Sequence, residues 1–218
     1  MQPISGSLAT THTSSRVASS RAKRTARISA VLYASIVILA MCTPVKATTF
    51  TFNTAPFAGT NVLNTPGRQV VGGEFFISFF PANDVFSIDS SVFGVDGPVN
   101  FVNATAGNLP TGGVNVVVLQ TFDNDANPLT PFGAGNAADL IASRITTPGA
   151  GFFIYFNQSL DIPRLVYSTD LSSNTADLRI LARVLNLNGD AGRAAIPTFS
   201  ASNFEYTSSV PEPSTFLF

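Results

Sequence analysis

The 218 residues contain no tryptophan, a single cysteine (Cys42), a single histidine (His12) and two lysines, Lys23 and Lys46. All four of those residues precede Ala47, so everything after it lacks thiol, imidazole and ammonium side chains. That absence excludes the Cys- and His-based nucleophilic and zinc chemistries from the main part of the chain. It also excludes disulfide staples, so stability must come from burying apolar surface. Positive charge after Ala47 is restricted to Arg68, Arg144, Arg164, Arg179, Arg183 and Arg193, against 13 acidic residues that all lie at or after Glu74. The balance, 6 − 13 = −7, argues against a nucleic-acid partner, which requires a basic surface.

What is present divides the chain in two. Arg16, Arg21, Lys23, Arg24 and Arg27 precede an apolar run from Ile28 to Met41 and the small-residue site Val45-Lys46-Ala47. This is the basic, apolar, small-residue order of a secretory signal, and it places the cut between Ala47 and Thr48. Pro44 ends the apolar helix, and the run is shorter than the roughly 20 residues a membrane-spanning helix needs. A lipoprotein cut before Cys42 would require a small residue where Met41 stands. Residues 1–47 are therefore read as a signal peptide, and export to the cell surface or the extracellular space is expected.

The remaining 218 − 47 = 171 residues are enough for one domain with a substantial core. All 19 phenylalanines lie here, each able to bury about 150–250 Å². Thr49-Phe50-Thr51-Phe52 alternates with period two and predicts a half-buried strand, whereas Glu74 to Phe80 is nearly all apolar and predicts a fully buried one. Further strands are expected at residues 85–88, 99–103, 114–122, 152–157, 165–168, 178–185 and 199–206, separated by Gly, Pro, Asn or Asp. One helix is expected over 137–145, capped by Asn136. The predicted class is all-β, a β-sandwich of jelly-roll or immunoglobulin-like type over 48–206, with a Ser/Thr/Pro linker at 207–218.

That linker contains Val210-Pro211-Glu212-Pro213-Ser214-Thr215, which resembles the start of the PEP-CTERM sorting signal on exported proteins of Gram-negative bacteria that make exopolysaccharide. The motif matches at Pro211, Glu212 and Pro213. The resemblance implies an exosortase-type sorting machinery as partner, and an extracellular polysaccharide setting. In the family an apolar span and a basic cluster follow, whereas here only Phe216, Leu217 and Phe218 do. The expectation is thus either a truncated version of a longer product or a chain that has lost its anchor and is released, with membrane contact only through a missing C-terminal segment. Residues 136–187, including the runs 151–157 and 164–168, look similar to the middle of many proteins bearing this signal.

Candidate chemistry is sparse. Asp123, Asp125 and Asn127 alternate oxygen ligands as Ca²⁺ prefers, and the alternative is a polar turn after a strand. Asn186-Leu187-Asn188-Gly189-Asp190 admits the same two readings. No other cofactor is expected. Asn103 and Asn157 match the N-glycosylation pattern but are discounted for a bacterial chain. Paired carboxylates could hydrolyse a glycosidic bond, yet no pair stands out among the acids. Tyr155, Tyr167 and Tyr206 lie in predicted strands. The expected role is non-enzymatic, a structural or adhesive protein of an extracellular polysaccharide matrix. A carbohydrate-binding module is the alternative, and a glycan-active hydrolase the remote one.

Overall fold

The two sequence periods that predict strands lead to different places in the structure. The computed structural model describes residues 46–208 apart from Pro128, all within the unit formed by residues 42–218. Among the described residues ten strands form: β1 (Thr49–Phe52), β2 (Val70–Val71), β3 (Phe75–Ile77), β4 (Val85–Asp89), β5 (Phe101–Ala104), β6 (Val116–Leu119), β7 (Gly151–Asn157), β8 (Ile162–Ser168), β9 (Leu178–Val184) and β10 (Phe204–Thr207). Three short helices join them, α1 (Ser90–Phe93), α2 (Ala134–Ala142) and α3 (Gly189–Ala195).

The strands make two sheets. In the smaller, β4 lies between β1 and β10 and all three run parallel. In the larger, the order is β9-β8-β7-β6-β5, and β2 and β3 both pair with β9 on its outer side. The two-sheet, mainly β architecture agrees with the sequence. The pairing does not follow the antiparallel pattern of the expected sandwich types: only β7–β8 and β8–β9 are antiparallel among the pairs formed. Parallel neighbours need a crossover, which α2 provides between β6 and β7.

Burial explains the composition of the central strands. Every residue of β6 and β7 is buried, because one face of the large sheet packs on the small sheet and the other on α2. Phe152, Ile154 and Phe156 point to the first core, where Phe79 and Phe86 stack at 4.1 Å between ring centroids. Phe153 and Tyr155 point to the second, against Ala137, Ala138 and Ile141 of α2. A strand covered on both sides reads as a continuous apolar run, as Val116-Val117-Val118-Leu119 does.

Two local departures have clear causes. The run from Glu74 to Phe80 is not a buried strand: β3 spans three residues at the sheet edge, leaving the rings of Phe75, Phe76 and Phe80 exposed and the Glu74 side chain buried. In β9 the register slips between the partners Leu165–Ala182 and Val166–Ile180, so Leu181 is an inserted residue. Leu178 and Ile180 therefore face α2, while Ala182 and Val184 face the small sheet. A one-residue bulge has exchanged the two faces mid-strand.

The helix lies earlier than predicted. Gly133 takes the N-cap position, and Asn136, inside the first turn, reaches back with its Oδ1 to accept from the Gly133 N–H at 3.0 Å. The segment predicted as strand over 199–206 is strand only from Phe204, the earlier part being a short 3₁₀ turn that exposes Ala201 and Ser202.

Removing an interior ring should be costly, and adding a methyl group at a glycine packed against backbone should be too. Phe86→Ala is expected to lower unfolding free energy by roughly 3–5 kcal/mol. For Gly151→Ala the new Cβ would lie 2.6 Å from the Asn115 carbonyl oxygen, and a loss of about 1–3 kcal/mol is expected. Urea unfolding of both variants measures this, and wild-type midpoints would contradict it.

Candidate functional site

The chemistry-bearing residues that come together lie where the edge strand is interrupted. Gly72, Gly73 and Glu74 separate β2 from β3, opposite the bulge at Leu181. Gly73 has a positive φ of 96°, and a Cβ there would lie 3.0 Å from Arg179 Nη2. The positive φ favours glycine here, while the arginine tip could move aside. Because of the bulge, Arg179 and Arg183 reach opposite faces of the sheet although they are four residues apart.

On the α2 side, the Glu74 side chain is 4% exposed and binds two arginines. Its Oε1 accepts from Arg164 Nη2 at 2.8 Å and from Arg183 Nε. The two guanidinium groups exceed the single carboxylate by one positive charge. Burial alone would raise the Glu74 pKa, but its own backbone N–H, Arg183 and Arg164 outweigh that and hold it below the usual carboxylate value. Arg183 lies over the exposed Phe76 ring at 5.3 Å. Tyr155, cross-strand from Arg164, accepts from Asn157 Nδ2 at 3.0 Å, and burial raises its pKa. Arg164 Nε is buried without a hydrogen-bond partner.

On the other side a groove of about 180 Å³ opens between the end of β1 and the β2–β3 break. Phe75, 62% exposed, forms one wall and meets Phe52 edge-on at 5.8 Å. Thr51, Asn53 and Thr54 supply polar groups, and Arg179 closes the groove. Arg179 is half-buried and has no hydrogen bond or ion pair among the described residues. Arg68, Arg164, Arg183 and Arg193 are by contrast all engaged by acidic side chains. A second, more apolar groove lies along β1 and shares Thr51, Phe52 and Phe75 with the first. An aromatic face, neutral hydrogen-bonding groups and an uncommitted guanidinium suit a polar ligand that carries negative charge.

Known proteins add nothing to this geometry. The chain matches no family model, no curated protein and no solved structure.

The residues singled out from sequence lie elsewhere. Asp123 Oδ1 accepts from the N–H groups of Asp125 and Ala126, Asp125 Oδ1 from Asn127 N–H, and Asn127 Oδ1 from Leu129 N–H. The three side chains thus fold back on their own turn. Hydrogen bonds from Thr130 and then from the Asn127 backbone lower the Asp125 pKa. Among the described residues no cluster of three acidic, His or Cys side chains has metal-binding geometry. In the second candidate loop, Asn186 clasps Phe79 through the backbone N–H and C=O, and Asn188 stands at the N-cap position of α3 without a side-chain cap hydrogen bond, with Asp190 in the first turn. Asn103 and Asn157 are both held in internal hydrogen bonds. Ala47 and Thr48 are exposed immediately before β1. Pro211, Glu212 and Pro213 lie outside the described residues. Each of the four pockets seen carries at most one carboxylate, Asp96 in one and Asp139 in another.

Sequence reasoning missed the edge site because it assigned the whole 74–80 run to the core. The available signal was Gly72-Gly73 followed by an acid, a poor start for a buried strand.

Glu74 should hold the edge in a pH-dependent way. Its lowered folded-state pKa means that its contribution is complete above the ordinary value of 4.5 and is lost as pH falls through the folded value. Glu74→Gln should therefore cost roughly 3 kcal/mol at pH 7, by leaving two guanidinium groups unpaired. The gap to wild type should close as urea melts are repeated below pH 4.5, and a pH-independent gap would contradict this role.

Proposed function

We propose that the chain is an exported, secreted or surface-sorted structural or adhesive protein that works within an extracellular polysaccharide matrix. The observation that carries this reading is the exposed aromatic edge: Phe75, Phe76 and Phe80 project from one short segment of a chain whose other rings are largely buried. Exposed apolar rings on a stable scaffold mark a contact surface. The leader at residues 1–47, the Pro211-Glu212-Pro213 motif with its implied exosortase-type machinery, and the absence of Cys, His and Lys after residue 47 support the same reading. The scaffold is sandwich-like in its two facing sheets, and we read it as a largely parallel-paired variant rather than a jelly-roll or immunoglobulin-like domain.

A carbohydrate-binding module is the second reading, favoured by the groove in which the Phe75 face stands beside Arg179. Stacking modules present a planar row of rings, whereas Phe75 and Phe76 alternate across their strand and Tyr155 and Tyr167 are buried. A hydrolase would require two carboxylates facing one cleft.

Retention of purified exported protein on polysaccharide-coated surfaces separates these readings. Phe75→Ser combined with Phe80→Ser should reduce retention about tenfold while leaving the thermal transition within a few degrees. Under the adhesive reading, Arg179→Gln leaves retention unchanged. Selective loss of binding to an acidic polysaccharide in Arg179→Gln, with neutral polymers unaffected, would favour the module instead. Full retention by the double Phe variant would contradict the adhesive reading.

A further inference from the structure

Asp84 is a buried carboxylate that lacks a counter-ion. Its side chain lies in the turn between β3 and β4 and is 1% exposed. Both oxygens are engaged, but by neutral donors: the Thr48 N–H donates to Oδ1 and the Phe80 N–H to Oδ2, each at 2.8 Å. No cation among the described residues pairs with it. A buried charge is expensive unless a charge of opposite sign meets it. Lys46, the cation nearest to Thr48 in sequence, makes no ion pair with it either.

The donor to Oδ1 is the nitrogen on the far side of the bond that the leader's cleavage motif marks. We infer that hydrolysis of the Ala47–Thr48 bond completes this site: the new α-ammonium of Thr48 becomes the counter-ion of Asp84. Water adds across the amide, a carboxylate leaves with Ala47, and the Thr48 amine takes up a proton, since a free α-amino group has a pKa of about 7.7–8.0. The nitrogen stands at hydrogen-bond distance from the carboxylate, so the neutral bond becomes a charge-assisted one without movement of the backbone. The consequences reach both outer strands of the small sheet. The Thr48 carbonyl accepts from Val85 N–H at 3.0 Å and starts the pairing of β1 with β4. The Asp84 carbonyl accepts from the buried Asn203 side chain just before β10. Removal of the leader thus fixes the end of the small sheet, and the processed chain is more stable than one blocked at its terminus. This inference rests on the cleavage reading of residues 45–48, and its test separates the two.

The full chain, leader included, is expressed in a secreting bacterial host and the exported protein is purified. Its intact mass should correspond to a chain beginning at Thr48. Because no lysine follows residue 47, that terminus is then the only amine in the protein, and acetic anhydride followed by hydroxylamine, which strips acetyl groups from tyrosine oxygens, leaves it alone modified. Acetylation should lower Tm by roughly 5–10 °C, Asp84→Asn should do the same, and acetylated Asp84→Asn should lose no more than either alone. A different N-terminus would overturn the cleavage reading and the inference with it. A Thr48 terminus whose acetylation leaves Tm unchanged, or losses that add, would overturn the pairing while leaving the cleavage intact. The wild-type acetylation result decides the matter even where Asp84→Asn fails to fold.

Discussion

Everything in this fold depends on a sheet that is dry on both faces. With no cysteine after residue 42 and few charges, the chain has apolar burial as its main source of stability, and β6, β7 and β8 supply the surface for it twice over. One face meets the phenylalanines of the small sheet, the other meets the small side chains of α2, where Ala137 and Ala138 let the helix approach closely. Two aromatic contacts bridge the sheets at their margins, Phe52 with Phe75 on one side and Phe101 with Phe204 on the other, at 5.8 and 5.9 Å. What is exposed, charged or strained is therefore displaced to the edges, and the edges hold the chemistry.

The central and the marginal strands differed in how far sequence revealed them. β1 and β7 were legible because their patterns match their surroundings: alternation where one face is wet, a continuous apolar run where neither is. The same logic failed at residues 74–80, since an apolar run says how hydrophobic a segment is but not whether a second sheet or water covers it. At β9 the alternation of Leu178, Ile180, Ala182 and Val184 suggests one buried face, and only the register slip at Leu181 shows that two are served. Helix α3 was hidden in a Gly- and Asn-containing stretch that reads as a turn, and it is placed by Asn188 at its start and by Arg193, which reaches Asp161 and lies over Phe156.

The bulge also determines what the edge can do. It sends Arg183 to the α2 side, where Glu74 holds it with Arg164, and leaves Arg179 on the groove side without a partner. One arginine of the strand is thus neutralised internally while the other lines a groove. The aromatic rings at this edge give it an exposed apolar surface, the one on which the proposed adhesive role rests. Around the turn from Phe80 to Asp84 the same segment is hydrogen-bonded to Thr48 at the start of β1, so the exposed edge and the proposed cleavage point share a single stretch of backbone.

If burial on both faces is the central constraint, the order of opening under native conditions follows from it. Native-state hydrogen exchange reports this directly, because each amide exchanges at the free energy of the opening that exposes it. Amides of β6, β7 and β8 should exchange only by global unfolding, at the free energy given by urea unfolding, while those of β1, β2 and β3 should open at lower cost. Exchange of β7 amides at a free energy below that of β1 would contradict the account.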